Sequence, residues 1–270
     1  MPNYICKTCG TQFQESAGPP ERCSICADER QYIGWDGQQW ATLEDLRREH
    51  HNVIKTLEPG LTGIGTHPDF AIAQRALLVQ ASQGNILWDC ISLIDEPTIA
   101  VVRALGGISA IAISHPHYYS SMVEWSRAFD APVYLHADDR QWVMRPDPAI
   151  QFWEGETKPL GEGLTLIRCG GHFPGGTVLQ WAAGAGGRGA LLSGDILTVV
   201  SDRRYVSFMY SYPNLIPLPA WQVRMIVQAL KPYPFDRIYG AWWERVVPVG
   251  GKEAVNRSAE RYIAALEADR

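Results

Sequence analysis

Four of the six cysteines in this 270-residue chain lie in two pairs near its N-terminus. Cys6-Lys-Thr-Cys9 and Cys23-Ser-Ile-Cys26 are separated by thirteen residues. A Cys-x-x-Cys turn puts two sulfurs on one side of a tight knuckle, and two facing knuckles offer the four thiolates that tetrahedral Zn²⁺ takes. Gly10, directly after the first knuckle, suits that turn. About forty residues bury too little apolar surface to fold alone, so a bound metal supplies the missing stability. The pattern predicts a closed structural or docking ribbon over residues 1–40, ligated by Cys6, Cys9, Cys23 and Cys26, with a second domain over 41–270.

Thiolate ligation rather than disulfides assumes a reducing compartment. The N-terminal MPNYICKTCG has neither the basic start nor the apolar run of a signal peptide, and no apolar stretch approaches the roughly 18 residues of a membrane helix. A cytoplasmic protein with no membrane partner is expected. The net charge of −5 is spread over both signs, and the basic runs are only the pairs Arg47-Arg48 and Arg203-Arg204. That composition carries no nucleic-acid footprint. Small-molecule substrates, a homo-oligomer and a protein partner on the ribbon remain as expected partners.

Beyond the ribbon the pattern is α+β. ATLEDLRREHH reads as a short helix with a capping box from Thr42 to Asp45. AQRALLVQASQGNILWDC reads as a β-hairpin, roughly 73–80 and 85–90, around a Ser-Gln-Gly-Asn turn. DEPTIAVVRALGG, with proline early and glycines late, is a helix, and the buried strand ISAIAIS follows it. A helix over about 120–129 and a strand APVYLHA come next. Further strands are expected at LTLIRC, GTVLQWA, GALLSGD and DRIYGAW, with closing helices at PAWQVRMIVQAL and KEAVNRSAERYIAAL. This mixture suggests two sheets between helix layers. GRGALLSGD lacks the spacing and lysine of a phosphate loop.

The strand ISAIAIS ends at His115-Pro116-His117. A residue before proline is held extended, and in an extended segment residues i and i+2 share a side, so both imidazoles face one ion. His172 in RCGGHFPGG and Asp195 in LLSGDIL also follow strands, where a rigid scaffold commonly places ligands.

These residues, in this order, resemble the metallo-β-lactamase fold superfamily of hydrolases. The family carries His-x-His-x-Asp-His after a strand, then Gly-His, then Gly-Asp, and a last histidine near the C-terminus. SHPHYYS, GGHFPGG and LSGDIL match at His115, His117, His172 and Asp195, and the resemblance spans roughly residues 60–270. It implies an αββα sandwich and a metal held by the three histidines. The departures are Tyr119-Ser120 in place of Asp-His, and Ala241-Trp242-Trp243 in place of the last histidine. A second metal therefore lacks its ligands. The expected activity is a single-metal, zinc-dependent hydrolase of an ester, thioester, lactone or similar bond, with water activated near neutral pH. Asp195 is a fourth ligand or the group that orients the water and takes its proton, and Tyr119 or Ser120 donates to an oxyanion. The alternative is a non-catalytic interaction or sensing protein of the same fold.

The ribbon resembles rubredoxin, which implies iron, yet Cys26-Ala27 lacks the usual proline and glycine and favours zinc. Iron-linked electron transfer, as in relatives that join a diiron domain to rubredoxin, would need the missing second-site ligands. Other polar residues read as ordinary: His136 as a satisfied strand histidine, His50, His51 and His67 as surface or loop residues, Glu124 as a solvated helix residue, and Cys90 and Cys169 as buried thiols. The aromatic stretches RRYVSFMYSYPNLIP and AWWER read as ordinary packing or as a substrate cleft with Arg203 or Arg204 binding an acidic group.

Overall fold

The computed structural model describes residues 1–268. The chain divides into two compact units, Met1–Leu135 with Asp139–Phe152, and His136–Asp138 with the chain from Trp153 onward.

The first unit is built on a seven-stranded sheet whose strands follow one another in chain order. His51–Glu58, Leu61–His67, Arg75–Val79 and Ile86–Trp88 run antiparallel. Gly84 makes the turn before Ile86–Trp88 with φ +117, and a Cβ there would meet Ser109 Oγ at 2.2 Å. Two parallel strands follow, Ala110–Ala112 and Val133–His136, reached through the helices Glu96–Ala104 and Met122–Phe129. Ile86–Trp88 and Ala110–Ala112 are buried throughout, which explains why they read as unbroken apolar runs. Asp95 caps the first helix by accepting the Thr98 N–H at 2.9 Å, and Thr42 and Asp45 form the expected capping box of Leu43–Glu49. The hairpin His51–Glu58/Leu61–His67 was not expected. His51 and His67, read as surface or loop residues, are exposed and face each other across this hairpin, ring centroids 5.3 Å apart, on strands and not in a loop.

Residues 1–40 lie in this same unit. Strand Ile5–Cys6 pairs antiparallel with Trp40–Ala41, and Ile5 packs with Ala41, Leu46 and Leu93. Gly10 O accepts the Ser92 hydroxyl at 2.8 Å, and Gln12 N–H donates to Ser120 O at 3.0 Å.

The second unit holds a six-stranded sheet. Thr157–Gly161, Leu164–Arg168, Thr177–Trp181 and Ala190–Gly194 form an antiparallel meander. Arg237–Gly240 then joins parallel to Ala190–Gly194, and Val246–Val247 returns antiparallel. Helices Ala220–Leu230 and Gly251–Glu267 bury Val223, Ile226, Val255 and Ala259 in one cluster with Ile167, Val178, Leu191 and Ile238. Burying each large apolar side chain contributes about 1.5–3 kcal/mol. Leu266, at helical spacing from Val255, Ala259 and Tyr262, is exposed. Among the described residues no helix is long and apolar enough to cross a membrane.

Candidate metal centres

The two cysteine knuckles have the same local geometry. Gly10 N–H donates to Cys6 O at 2.8 Å and Ala27 N–H to Cys23 O at 2.9 Å, so each Cys-x-x-Cys is closed by an equivalent backbone bond. Gly10 adopts φ +81, and a Cβ there would lie 2.5 Å from Ser92 Oγ. Cys6 Sγ stands 3.6 Å from Cys26 Sγ, and Cys9 Sγ 3.7 Å from Cys23 Sγ. A disulfide needs about 2.05 Å, so none is present here. The edge of a sulfur tetrahedron with metal–sulfur bonds of about 2.3 Å is about 3.8 Å, close to both distances. All four sulfurs are buried and mutually within 4.8 Å. Sharing one space, they titrate unequally. Hydrogen bonds, that of Cys23 foremost, hold Cys6 well below the ordinary thiol range and push Cys9 and Cys26 above it. A cation removes that opposition, and the donor set fits a tetrahedral thiophilic metal. Gln38 Nε2 donates to Cys6 Sγ at 3.2 Å, and Thr11 Oγ1 lies 3.4 Å from Cys9 Sγ.

The histidine pair stands where Ala110–Ala112 has ended. His115 is extended, φ −171 and ψ 172, as a residue before proline should be. The extended geometry stops there, however. Pro116–Tyr118 is a turn of 3₁₀ helix, with Tyr118 N–H on His115 O at 3.1 Å and Tyr119 N–H on Pro116 O at 3.2 Å. Proline is preorganised for the first turn position, so the chain coils at once instead of continuing as a strand. The imidazoles therefore meet around a turn, not by strand alternation, with ring centroids 5.2 Å apart. His115 Nδ1 lies 3.0 Å from Ser114 Oγ, and Ser114 N–H donates to the Asp89 carboxylate at 2.8 Å. Asp89 sits at φ +59, and burial pushes its carboxyl up to about 7.

His172 lies in the glycine-rich loop after Leu164–Arg168, fully buried. Its Nδ1 is 2.7 Å from the Tyr210 carbonyl, an acceptor only, so Nδ1 carries the proton and Nε2 keeps the lone pair. One ligand nitrogen each from His115, His117 and His172 lies within 4.8 Å of the other two. Three buried imidazoles, two with Nδ1 held by an oxygen, make a donor set suited to a borderline divalent ion such as zinc. Asp195 follows Gly194 and is buried. Its carbonyl accepts the Tyr212 hydroxyl, and Gly194 O accepts Ala241 N–H at 3.1 Å. Burial, and then the Asp195 charge, raise the Tyr212 phenol, which stays a neutral donor.

Tyr119 and Ser120 are held against the ribbon. The Ser120 hydroxyl donates to Cys90 O at 3.2 Å and accepts from Gln74 Nε2 at 3.0 Å. Tyr119 is buried in a small cavity with Thr11, Gln12 and Arg145, and burial raises its phenol. Glu124 is not a solvated helix residue: Arg145 pairs with it at 2.6 Å and also reaches Gln12. His136 is satisfied by Gly155 O at 3.0 Å and Asp138 N–H at 3.2 Å. Cys90 and Cys169 are buried, and burial pushes Cys169 up to about 12. Of the basic pair Arg203-Arg204, Arg203 donates to Val200 O and Arg204 pairs with exposed Asp202 at 2.7 Å. Asp89, Ser114, Tyr210 and Tyr212 were missed in the sequence. Only Asp89 left a sign, a carboxylate directly after the apolar strand Ile86–Trp88.

No family model matches the sequence. Among solved structures, the DIM-1 metallo-β-lactamase aligns with a TM-score of 0.61 at 13% identity, over 78% of this chain and 98% of its own. The metallo-β-lactamase FIM-1 from Pseudomonas aeruginosa, in its mono-zinc form, aligns at 0.57 and 16% identity, over 78% and 96%. The fold is thus the metallo-β-lactamase fold, mixed α and β, with the four-cysteine cluster at its N-terminus. The uncharacterized protein YmaE of Bacillus subtilis (strain 168) is 54% identical over 271 residues, covering 100% of this chain and 98% of that protein. At that identity and coverage, the chain belongs to the family of YmaE.

Proposed function

We propose that this protein is a metal-dependent hydrolase with a single-metal site at His115, His117 and His172, acting on an ester, thioester, lactone or related bond. The observation that carries this is the grouping of three buried imidazoles within 4.8 Å. Zinc is the ion we assign there, and the mono-zinc FIM-1 neighbour supports it. Such an ion supplies Lewis-acid activation of water near neutral pH.

The chain's own residues do the rest. The Tyr210 carbonyl fixes the His172 tautomer, and Ser114, anchored on Asp89, holds His115. The Asp195 carboxylate orients the attacking water and accepts its proton. For Ser120 we prefer a positioning role to oxyanion donation, because its hydroxyl is already engaged by Cys90 and Gln74. The ribbon binds a second, structural zinc, with iron as the other metal its sulfurs suit. Six cysteines, none in a disulfide, support a cytoplasmic setting.

Elemental analysis of the purified protein tests this. Zinc at both sites is expected, with one ion lost from a His115→Ala/His117→Ala variant and the other from a Cys6→Ser/Cys9→Ser variant. An ester and lactone panel then compares wild type with His172→Ala. Zinc confined to the ribbon, or equal turnover by the two proteins, overturns the hydrolase reading.

A further inference from the structure

The turn after Arg237–Gly240 builds a second feature. Where the resemblance leads one to expect a histidine, the chain has Trp242 and Trp243, followed by Glu244 and Arg245. This segment is a tight turn. Gly240 N–H donates to Arg245 O at 2.8 Å and Arg245 N–H to Trp242 O at 3.2 Å, while Glu244 adopts φ +67. Ala241 N–H is bonded to Gly194 O, so the turn is anchored to the residue that precedes Asp195.

Trp242, Trp243 and Arg245 line a cavity of about 620 Å³ together with Thr198, Val199, Val200, Ser201 and Tyr212. That volume lies within the roughly 300–1,000 Å³ of small-molecule sites. The lining includes one cation and no carboxylate. Exposed Glu244 is not part of it. Two indoles and a phenol offer flat apolar faces, and a guanidinium offers a planar fork that matches a carboxylate in two parallel hydrogen bonds. Arg203 and Arg204 are engaged elsewhere, so Arg245 is the charge that faces a ligand here. The Tyr212 hydroxyl on Asp195 O ties one wall of the cavity to the strand end that carries Asp195.

We infer that this cavity binds a small anion with an aromatic or planar body, its carboxylate on Arg245 and its rings on Trp242 and Trp243. That such a ligand is the substrate rests on the hydrolase reading above; that it binds does not. The catalysed reaction would then cleave an ester, thioester or lactone that also bears a carboxylate.

Binding is read directly, by tryptophan fluorescence, with 2-naphthoate, neutral 2-naphthamide and a naphthylmethylammonium ion. Both the wild type and His172→Ala are titrated, so that a failure of the metal site leaves this test intact. The carboxylate is expected to saturate both proteins alike, with the amide and the ammonium ion at least about tenfold weaker, as befits loss of a charge-assisted hydrogen-bond pair. Arg245→Gln should lower naphthoate affinity to that of the amide and leave the amide unchanged, and Trp243→Ala should weaken both. Circular dichroism and thermal melts verify that each variant is folded. Equal binding of carboxylate and amide, no binding of either, or an Arg245→Gln variant that binds naphthoate normally overturns the inference. Preserved naphthoate binding in a protein without hydrolytic activity overturns the catalytic reading alone.

Discussion

At the scale of single residues, the candidate ligands were the part of the site that spacing brings out. His115, His117 and His172 and the four cysteines are reactive side chains at strand ends or in paired knuckles, positions that sequence spacing marks well. Their supports were not legible, because a serine hydroxyl, a carbonyl or a tyrosine acquires its role only from what it touches. Asp89 is the most testable of these. Its carboxyl titrates at about 7 in the folded protein, above the ordinary 3.8, because burial disfavours the charge more than the Ser114 bonds favour it. A folded pKa raised in this way adds stability below about 4, which is lost as pH rises toward 7 and stays lost above it. Asp89→Asn keeps an oxygen for the Ser114 N–H and has no charge to bury. Denaturant melts from pH 4 to 8 should show a flatter profile for the variant, and greater stability than wild type at pH 8 by no more than about 4 kcal/mol. Parallel profiles would show that Asp89 is not the titrating group.

Secondary-structure elements were read well where a local signal was complete. The capping box at Thr42 and Asp45, the early proline and late glycines around Glu96–Ala104, and the glycine turn before Ile86–Trp88 are all contained in a few residues. The hairpin His51–Glu58/Leu61–His67 escaped because its burial is mixed and no clean alternation marks it. The turn at Pro116–Tyr118 escaped for a different reason: the proline constrains the residue before it, yet starts a helical turn at its own position. For the ribbon, Gly10 is the element's weak point. Gly10→Ala forces a side chain into φ +81 and against Ser92 Oγ. A left-handed residue with a Cβ costs about 1–2 kcal/mol before any clash, so the variant should lose ribbon metal to a chelator at lower concentration than wild type. Metal retention equal to wild type in a chelator titration would contradict this.

At the scale of the whole molecule, the ribbon is wired into the unit that carries the His115-His117 turn. Gly10 O holds Ser92, Gln12 N–H holds Ser120, and Arg145 bridges Gln12 and Glu124 on the helix after the turn. Loss of the ribbon metal should therefore loosen that turn. In a Cys6→Ser/Cys9→Ser variant, hydrogen exchange is expected to accelerate at the Tyr118, Tyr119 and Met122 amides and to stay unchanged in the strand Thr177–Trp181. Unchanged protection at all three turn amides would show that the ribbon folds without influencing the turn.

The sequence by itself determined which atoms can bind metal and how the four thiolates group, because knuckle spacing is a local constraint that a few backbone bonds satisfy. It also carried the pattern of strands and caps that makes the α+β architecture. Only the tertiary structure decided which polar groups serve the ligands. His172 keeps its Nε2 lone pair because a carbonyl from the distant strand Met209–Ser211 takes its Nδ1 proton, and Arg245 rather than Arg203 or Arg204 enters the aromatic cavity because the latter two bond near their own positions. Such assignments depend on distances between residues far apart in the chain, which side-chain identity and spacing do not encode.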